Sequence, residues 1–513
     1  MSRTKNVVKN FKFSIIRYVA QLVLQFVVRT ALIYFMGAEY LGLNGLFSNI
    51  LSFLNLAELG IGSAIVFNMY RAIADNDTEK IKSLQDLYRK FYIVISIVVA
   101  GLGLLILPFL KFFIKGEVVA DINIYLLYLL YLISTLLSYL SAHKRCVLFA
   151  YERNDIENKI KTVCLIGMNV IQILVLFLFK NYYIFFSINI LFSLIEWLAI
   201  HITTNKMFPQ LIGKANKLDK QTKNEITKNI TALSVQKIGN VFITSTDNIV
   251  ISSLLGLIIL GAYSNYYLII SSLITIFTLI INALTGSVGS LIASKGEEYV
   301  YAKYKQINFL FSFLTAFVTI CMIVLFQPFV KIWTGGGVYL LNYSTVLLLC
   351  LSFYLTRMRS CNTIFKDAAG LFWQNRFAPI VEALINVVVS IVLGLFIGIN
   401  GVIIGTILST VLVPMWFEPK ILYKHYFKKS IWDYFKTYIR DVIIMILAAA
   451  GCYGVCWLLP TGGLWWLVCK FAVCAIVCLA LLCALYAPTK EFKEMFNIVK
   501  TKIKSLKNKK TSS

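Results

Sequence analysis

Fourteen stretches of this sequence are apolar enough and long enough to cross a lipid bilayer as helices, and this feature excludes most soluble folds. The hydrocarbon core of a bilayer is about 30 Å thick, so a spanning helix needs about 20 mostly apolar residues. A helix also pairs its own backbone polar groups, which lipid cannot do. The sequence therefore predicts an all-α integral membrane protein with about 14 transmembrane helices. The predicted spans are 13–36, 41–70, 89–114, 122–148, 160–180, 182–204, 230–254, 257–292, 304–330, 339–366, 377–397, 400–424, 438–459 and 463–487.

The positive charge of the chain is interpreted as a signal of membrane topology. Lysine and arginine number 49 against 24 acidic residues, a net charge of +25 that in a soluble chain would indicate nucleic-acid binding. Here the basic residues concentrate in alternate loops, such as 71–90, 206–228 and 420–440. Positively charged loops stay in the cytoplasm, so an even number of spans places both termini there. No nucleic-acid partner is predicted.

The sequence contains an internal repeat. Residues 36–50 align without gaps on residues 255–269, with matching glycines that lie 219 residues apart. Six predicted helices separate the two copies, so both copies have the same orientation in the membrane. Parallel repeats of this kind predict two six-helix lobes related by an axis along the membrane normal, with a cavity between them.

The repeat divides the chain into five predicted parts. Helices 13 and 14 lie outside the repeat, and the tail has apolar residues at helical spacing among its lysines. This pattern predicts either a helix lying on anionic headgroups or a solvated tail. The parts are an N-lobe at 1–205, a cytoplasmic linker at 206–229, a C-lobe at 230–425, helices 13 and 14 at 426–488, and a basic cytoplasmic tail at 489–513.

Three basic residues inside the predicted spans are candidate substrate ligands: Arg29, Lys237 and Arg17. Counted from Lys12 at about 1.5 Å per residue, Arg29 lies about 25 Å along the first helix, past the midplane. A charge at that depth costs about 2.5–3.5 kcal/mol and normally faces the bundle interior or a wet cavity. A guanidinium group suits phosphate oxygens. The alternatives are that Arg29 pairs with a carboxylate, and that these side chains extend to the headgroups.

Four acidic residues also lie within the predicted spans: Glu58, Glu196, Asp247 and Glu382. One interpretation is that they bind a coupling cation, H⁺ or Na⁺, because a poorly hydrated carboxylate has a raised proton affinity. The other is that they neutralise Arg29 and Lys237 in the empty state. The sequence leaves both interpretations open.

The sequence argues against catalysis and against a metal or other cofactor. It has no phosphate-binding GxxxxGKS motif, and its longest loop, about 205–229, is too short for a catalytic domain. Six of the eleven cysteines lie in the last two apolar runs without metal-ligand spacing, and the chain has three histidines. We therefore expect a protein that is not an enzyme. Tyr125, Tyr128, Tyr131 and Tyr139 form a stripe on the fourth predicted helix, which predicts a wall for sugar rings or, alternatively, aromatic packing.

Two blocks of sequence resemble a known family. Residues 39–65 (EYLGLNGLFSNILSFLNLAELGIGSAI) and 245–269 (STDNIVISSLLGLIILGAYSNYYLI) are similar to Wzx-type polysaccharide flippases of the multidrug/oligosaccharidyl-lipid/polysaccharide exporter superfamily. The resemblance implies a MATE-like fold and movement of undecaprenyl-diphosphate-linked oligosaccharide repeat units to the outer leaflet of the bacterial plasma membrane. It implies alternating access, a role in surface polysaccharide biosynthesis, and coupling to an ion gradient in some members. Arg29 becomes the diphosphate candidate, and Asp247 a polar candidate on helix 7.

Rival functions remain open at this stage. A peptidoglycan lipid-precursor flippase would recognise the same lipid anchor, and a cation-coupled multidrug exporter belongs to the same superfamily. A non-transporting scaffold of a polysaccharide assembly complex is the third rival. For a flippase, a polysaccharide polymerase and glycosyltransferases are the candidate protein partners.

Overall fold

A computed structural model describes residues 3–55, 61–115, 122–213, 215–216, 218, 246–371, 374–460, 462–497 and 501. Every regular element within these ranges is helical. The main helices are α1 (Arg3–Phe35), α2 (Ala38–Leu54), α3 (Ile61–Ala74), α4 (Thr78–Ile106), α5 (Ile124–Leu140), α6 (Ala142–Ala150), α7 (Asn154–Phe179), α8 (Tyr182–Met207), α9 (246–255), α10 (Leu257–Ser294), α11 (Glu297–Thr334), α12 (Tyr343–Met358), α13 (Ser360–Ala368), α14 (Ala378–Ile397), α15 (Ile399–Leu412), α16 (Pro414–Leu422), α17 (Trp432–Trp457), α18 (Gly463–Tyr486) and α19 (490–497).

The predicted membrane fold is confirmed, and the number of spans is partly resolved. Within the described ranges, 11 helices are long and apolar enough to cross a membrane, or up to 12 if the bent pair α5–α6 is one span. The two other predicted spans, 41–70 and 230–254, include residues 56–60 and 230–245, which lie outside the described residues. The total of 14 therefore stays a prediction.

Side-chain caps fix the starts of several helices. The Asn123 side chain accepts hydrogen bonds from the backbone N–H groups of Tyr125 and Leu126, and Asn181 accepts one from Ile184. Such caps satisfy N–H groups that have no partner within the helix. These asparagine caps therefore set the positions at which α5 and α8 begin.

Helix packing follows the same order in the two compact units of the chain, unit 1 (Met1–Ser264) and unit 2 (Asn265–Ser513). In unit 1, α7 and α5 both pack on α8, and in unit 2, α14 and α12 both pack on α15. The fourth predicted span of each half is broken in the same way, between α5 and α6 and between α12 and α13. Helices α17 and α18 pack on α11 and on each other. This order is the one expected from two six-helix repeats followed by two extra helices.

A close helix crossing in unit 1 is also symmetric under the 219-residue offset. Gly42 on α2 lies against the backbone of Leu257, and Gly261 on α10 lies against the backbone of Ala38. The offset that relates Gly42 to Gly261 also relates Ala38 to Leu257. A Cβ atom at either glycine would overlap the facing carbonyl oxygen, so only glycine permits this approach. The repeated glycines thus bring the start of α10 against α2.

Candidate functional site

Arg29 lies near the end of α1 and is held by a hydroxyl group. Its Nη2 atom donates a hydrogen bond to Oγ of Ser264 on α10. The Ser264 hydroxyl donates in turn to the carbonyl oxygen of Gly261 at 2.8 Å, which leaves a lone pair of Oγ free to accept from Arg29. Because Gly261 sits at the α2–α10 crossing, this crossing positions the guanidinium. Arg29 is only half-buried.

A tyrosine pair lies within electrostatic range of Arg29. The hydroxyl groups of Tyr131 and Tyr182 are 2.9 Å apart, and both interact with the Arg29 charge. The Tyr131 ring stacks on Phe186 with ring centroids 3.7 Å apart. Tyr128 is also buried, and its hydroxyl donates to the Gly103 carbonyl oxygen. Of the predicted stripe, the buried members therefore serve aromatic packing.

The other two predicted cations do not join Arg29 in the described part of the chain. Arg17 donates from Nη1 to Oδ1 of Asn158 on α7 at 3.1 Å, and Asn158 donates to Ser14. Arg17 lies 12 residues before Arg29 on the same helix, which is about 18 Å. Lys237 lies outside the described residues. A single site that includes Arg17 and Arg29 would thus need a ligand of that length.

The predicted acids fall into different environments. Glu196 on α8 forms an ion pair with Arg145 on α6 at 3.0 Å. Asp247 is half-buried at the start of α9, between the buried polar residues Thr246 and Asn248. Glu58 lies outside the described residues. Glu196 therefore neutralises Arg145, a cation that the neutralising interpretation did not name.

Glu382 belongs to a buried group of charges in unit 2, which we call the α13 ion cluster. Arg359 lies 3.4 Å from Glu382 and 3.3 Å from Glu418, and Lys366 lies 3.1 Å from Glu418. Lys366, Glu382 and Glu418 are all buried. Charged side chains are usually tolerated in an apolar interior only when each is paired with an opposite charge.

Sequence reasoning missed three members of this cluster. Arg359 and Lys366 lie near the inner end of the predicted span 339–366, where basic residues are typical signals of topology, yet Lys366 is 3% exposed and ion-paired. Glu418 falls inside the predicted span 400–424, so it carried the signal of an intramembrane acid. Among the described residues of unit 2, Glu382 forms an ion pair with Arg359.

A cavity of about 480 Å³ in unit 1, which we call the tyrosine cavity, combines aromatic and charged walls. Its lining includes Tyr70, Tyr88, Tyr92, Arg145 and Glu157, from α3, α4, α6 and α7. The Arg145 Nε atom has no hydrogen-bond partner among the described residues. Aromatic faces beside hydrogen-bonding groups are a suitable surface for polar ring compounds such as sugars.

Three cysteines lie close together in the structure, although their spacing in the sequence did not indicate this. The sulfur atoms of Cys452 and Cys456 on α17 and Cys474 on α18 lie within 4.8 Å of one another. All three side chains are buried in apolar helices. Neutral thiols pack there as small apolar groups. Within the described ranges, these three cysteines are the side chains that lie close enough together to hold a soft metal ion.

Comparison with known proteins identifies the fold. No family model matches the chain, and no curated protein matches its sequence. Among solved structures, the lipid II flippase MurJ in an inward closed conformation has a TM-score of 0.65 at 16% identity, covering 93% of this chain and 99% of that chain. An inward-facing MATE-family multidrug transporter has a TM-score of 0.59 at 15% identity, covering 78% and 94%. A MATE transporter of Vibrio cholerae, VcmN, has a TM-score of 0.55 at 14% identity, covering 83% and 98%. These likenesses confirm the expected MATE-like fold.

Proposed function

We propose that this protein is a membrane flippase that moves an undecaprenyl-diphosphate-linked oligosaccharide repeat unit from the inner to the outer leaflet of a bacterial plasma membrane. Its product would supply the biosynthesis of a capsular, exo- or O-antigen-type polysaccharide. The fold is shared with a lipid II flippase and with multidrug transporters, so it supports a flippase or transporter without choosing the substrate. The choice of substrate therefore rests on the chemistry of the described side chains.

The observation that carries the proposal is Arg29. A guanidinium stays charged within a membrane span, and its planar fork of donors fits two phosphate oxygens. Its contact with the hydroxyl group of Ser264 orients the group. An anionic diphosphate is a better ligand for such a group than a cationic drug.

The tyrosine cavity supports the oligosaccharide part of the substrate. It offers Tyr70, Tyr88 and Tyr92 together with the ionic side chains of Arg145 and Glu157. Aromatic rings bind the apolar faces of sugar rings, and the charged groups accept or donate hydrogen bonds to hydroxyl groups. Aromatic walls would also suit the ligands of a multidrug exporter. The tyrosine cavity therefore supports the proposal together with Arg29 and not alone.

Transport would proceed by alternating access. A ligand shifts an equilibrium between two conformations only by binding one of them more tightly. In this proposal, the diphosphate competes with Ser264 for the Arg29 guanidinium, so the contacts of Arg29 differ between the loaded and empty states. The acids Asp247 and Glu382 are the candidates for an H⁺ or Na⁺ site, and such a site at Glu382 would compete with its ion pair to Arg359.

A peptidoglycan-precursor flippase is the second candidate function. The solved structure with a TM-score of 0.65 is a lipid II flippase. Depletion of the protein in its host, followed by analysis of the lipid-linked glycans in each leaflet, separates the candidates. A complete surface-polysaccharide repeat unit accumulating on the cytoplasmic side supports the proposal. Accumulated peptidoglycan precursor supports the second candidate, and normal pools with altered tolerance of cationic drugs indicate an exporter.

A further inference from the structure

We propose that unit 1 contains a second anion site that takes a phosphate group, distinct from Arg29 and from the tyrosine cavity. The site is a cavity of about 230 Å³ between the first turns of α4, the start of α6 and the end of α8. We call it the basic cavity, and it shares no lining residue with the tyrosine cavity. Its ionisable lining residues are Lys82, Asp86, Arg89, His143, Lys144 and His201.

The charge balance of the basic cavity is positive. Asp86 is the carboxylate among the described lining residues, and it already pairs with Arg89 at 3.1 Å and with Lys90 at 2.6 Å. Lys82 has a loose contact of 3.9 Å with Glu79. Among the described lining residues, the one acid is therefore shared between two cations, and no second carboxylate compensates the remaining positive charge.

Lys144 is the residue whose charge most needs a partner. Its side chain is buried, with 8% of the residue exposed, and Nζ donates to Oδ1 of Asn205 at 2.7 Å. Among the described residues, no carboxylate lies within ion-pair distance of Lys144. An ammonium group has three donors and remains unfavourable when buried without a counter-charge. An anion in the cavity would supply that counter-charge.

The hydrogen bonds of Asn205 also fix the state of His201. Because Oδ1 of Asn205 accepts from Lys144, its Nδ2 group is the donor to Nε2 of His201 at 2.9 Å. A neutral imidazole that accepts at Nε2 carries its proton at Nδ1. That Nδ1 atom is buried and has no hydrogen-bond partner among the described residues. Lys144 and His201 thus both retain N–H donors that lack an acceptor.

These features select a phosphate group as the ligand class. The ammonium, guanidinium and imidazole groups of the lining match the several acceptor oxygens and the negative charge of a phosphate. The cavity is smaller than the roughly 300–1,000 Å³ typical of pockets for drug-sized ligands, so it suits one phosphate group rather than a whole glycan. The phosphate could come from an anionic lipid headgroup or from a soluble phosphate compound.

Two variants and one control test the site in the purified full-length protein. Lys144→Met removes the buried charge. Asn205→Asp keeps the side-chain shape but places a carboxylate between Lys144 and His201, where it neutralises the lysine and repels an anion. The control Lys206→Met removes an exposed charge at the end of α8, next to Asn205, that does not line the cavity. Because Asn205→Asp is isosteric, it remains informative if Lys144→Met fails to fold.

The first measurement titrates inorganic phosphate against the protein in detergent and follows heat release at constant ionic strength. We expect saturable binding that Lys144→Met and Asn205→Asp each weaken at least about tenfold, the size expected for loss of a charge-assisted hydrogen bond. Lys206→Met should stay within about twofold of the unchanged protein, since it removes no group from the cavity and no partner of Asp86.

The second measurement counts retained phosphatidylglycerol by native mass spectrometry after extraction from nanodiscs, with phosphatidylcholine as the comparison lipid. Phosphatidylglycerol that is retained by the unchanged protein and lost from both cavity variants identifies a lipid headgroup as the ligand. An effect confined to inorganic phosphate identifies a soluble ligand. The proposal is overturned if neither probe separates the unchanged protein from the two cavity variants, or if Lys206→Met has an equal effect.

Discussion

The guanidinium group of Arg29 donates a hydrogen bond to the hydroxyl group of Ser264, a residue 235 positions later in the chain. The contact joins α1 to the first turns of α10, which the paired glycines bring against α2. The residue that the sequence singled out as the diphosphate ligand is therefore oriented by the second copy of the internal repeat.

Replacing Arg29 by Gln should reduce leaflet transfer of a lipid-linked oligosaccharide by at least about tenfold, because a charged hydrogen bond contributes about 1.5–3 kcal/mol. Ser264→Ala should have a smaller effect, since it removes an orienting contact and leaves the charge. The measurement is transfer in proteoliposomes with purified protein. Lys436→Gln, at an exposed position of α17, is the control for loss of one positive charge. Full transfer by Arg29→Gln would refute the assignment of Arg29 as the diphosphate ligand.

Adding one methyl group at the α2–α10 crossing should destabilise the protein. Gly42→Ala and Gly261→Ala each place a Cβ atom onto a facing backbone carbonyl, and such overpacking typically costs about 1–3 kcal/mol. Gly45→Ala is the matched control on α2, because the nearest atom to its Cβ is a Leu260 side-chain carbon at 3.8 Å. Thermal unfolding in detergent should show a lower midpoint for the first two variants only. Equal midpoints for Gly42→Ala and Gly45→Ala would show that the crossing is not tight.

The α13 ion cluster should be more sensitive to loss of one member than of an opposed pair. Glu418→Gln leaves the buried Lys366 without its ion pair at 3.1 Å, and removal of one partner of a buried pair typically costs about 3–5 kcal/mol. The double variant Glu418→Gln with Lys366→Met should recover part of that loss. A double-mutant cycle of unfolding free energies measures the coupling. Additive losses would mean that Lys366 and Glu418 do not stabilise one another.

Truncation of Tyr70 should weaken substrate binding without a large loss of stability. Tyr70 lines the tyrosine cavity yet is 43% exposed, so Tyr70→Ala removes an aromatic face without opening the packed interior. Tyr299→Ala, at a tyrosine of similar exposure in unit 2, is the control. We expect lower transfer at limiting substrate for Tyr70→Ala and an unchanged unfolding midpoint for both variants. Unaltered transfer by Tyr70→Ala would argue against a glycan in this cavity.

The sequence by itself determined the helical architecture. The predicted spans 182–204 and 377–397 correspond to α8 (Tyr182–Met207) and α14 (Ala378–Ile397), because hydropathy and helix caps act over neighbouring residues. The internal repeat was also visible, since the symmetric α2–α10 crossing requires small residues at equivalent positions of the two copies. Gly42 and Gly261 record that requirement directly in the sequence.

Only the tertiary structure decided which charges face one another. Glu418 lies on α16, about 50 residues after Arg359 and Lys366 at the start and end of α13, and no local pattern shows that the three meet in one buried cluster. The same holds for Glu196 with Arg145 and for the sulfur atoms of Cys452 and Cys474, 3.6 Å apart. Periodicity and hydropathy describe one helix at a time, whereas an ion pair depends on which helices pack and at what rotation about their axes. The spans were therefore predictable from the sequence, and the partners of their charged side chains were not.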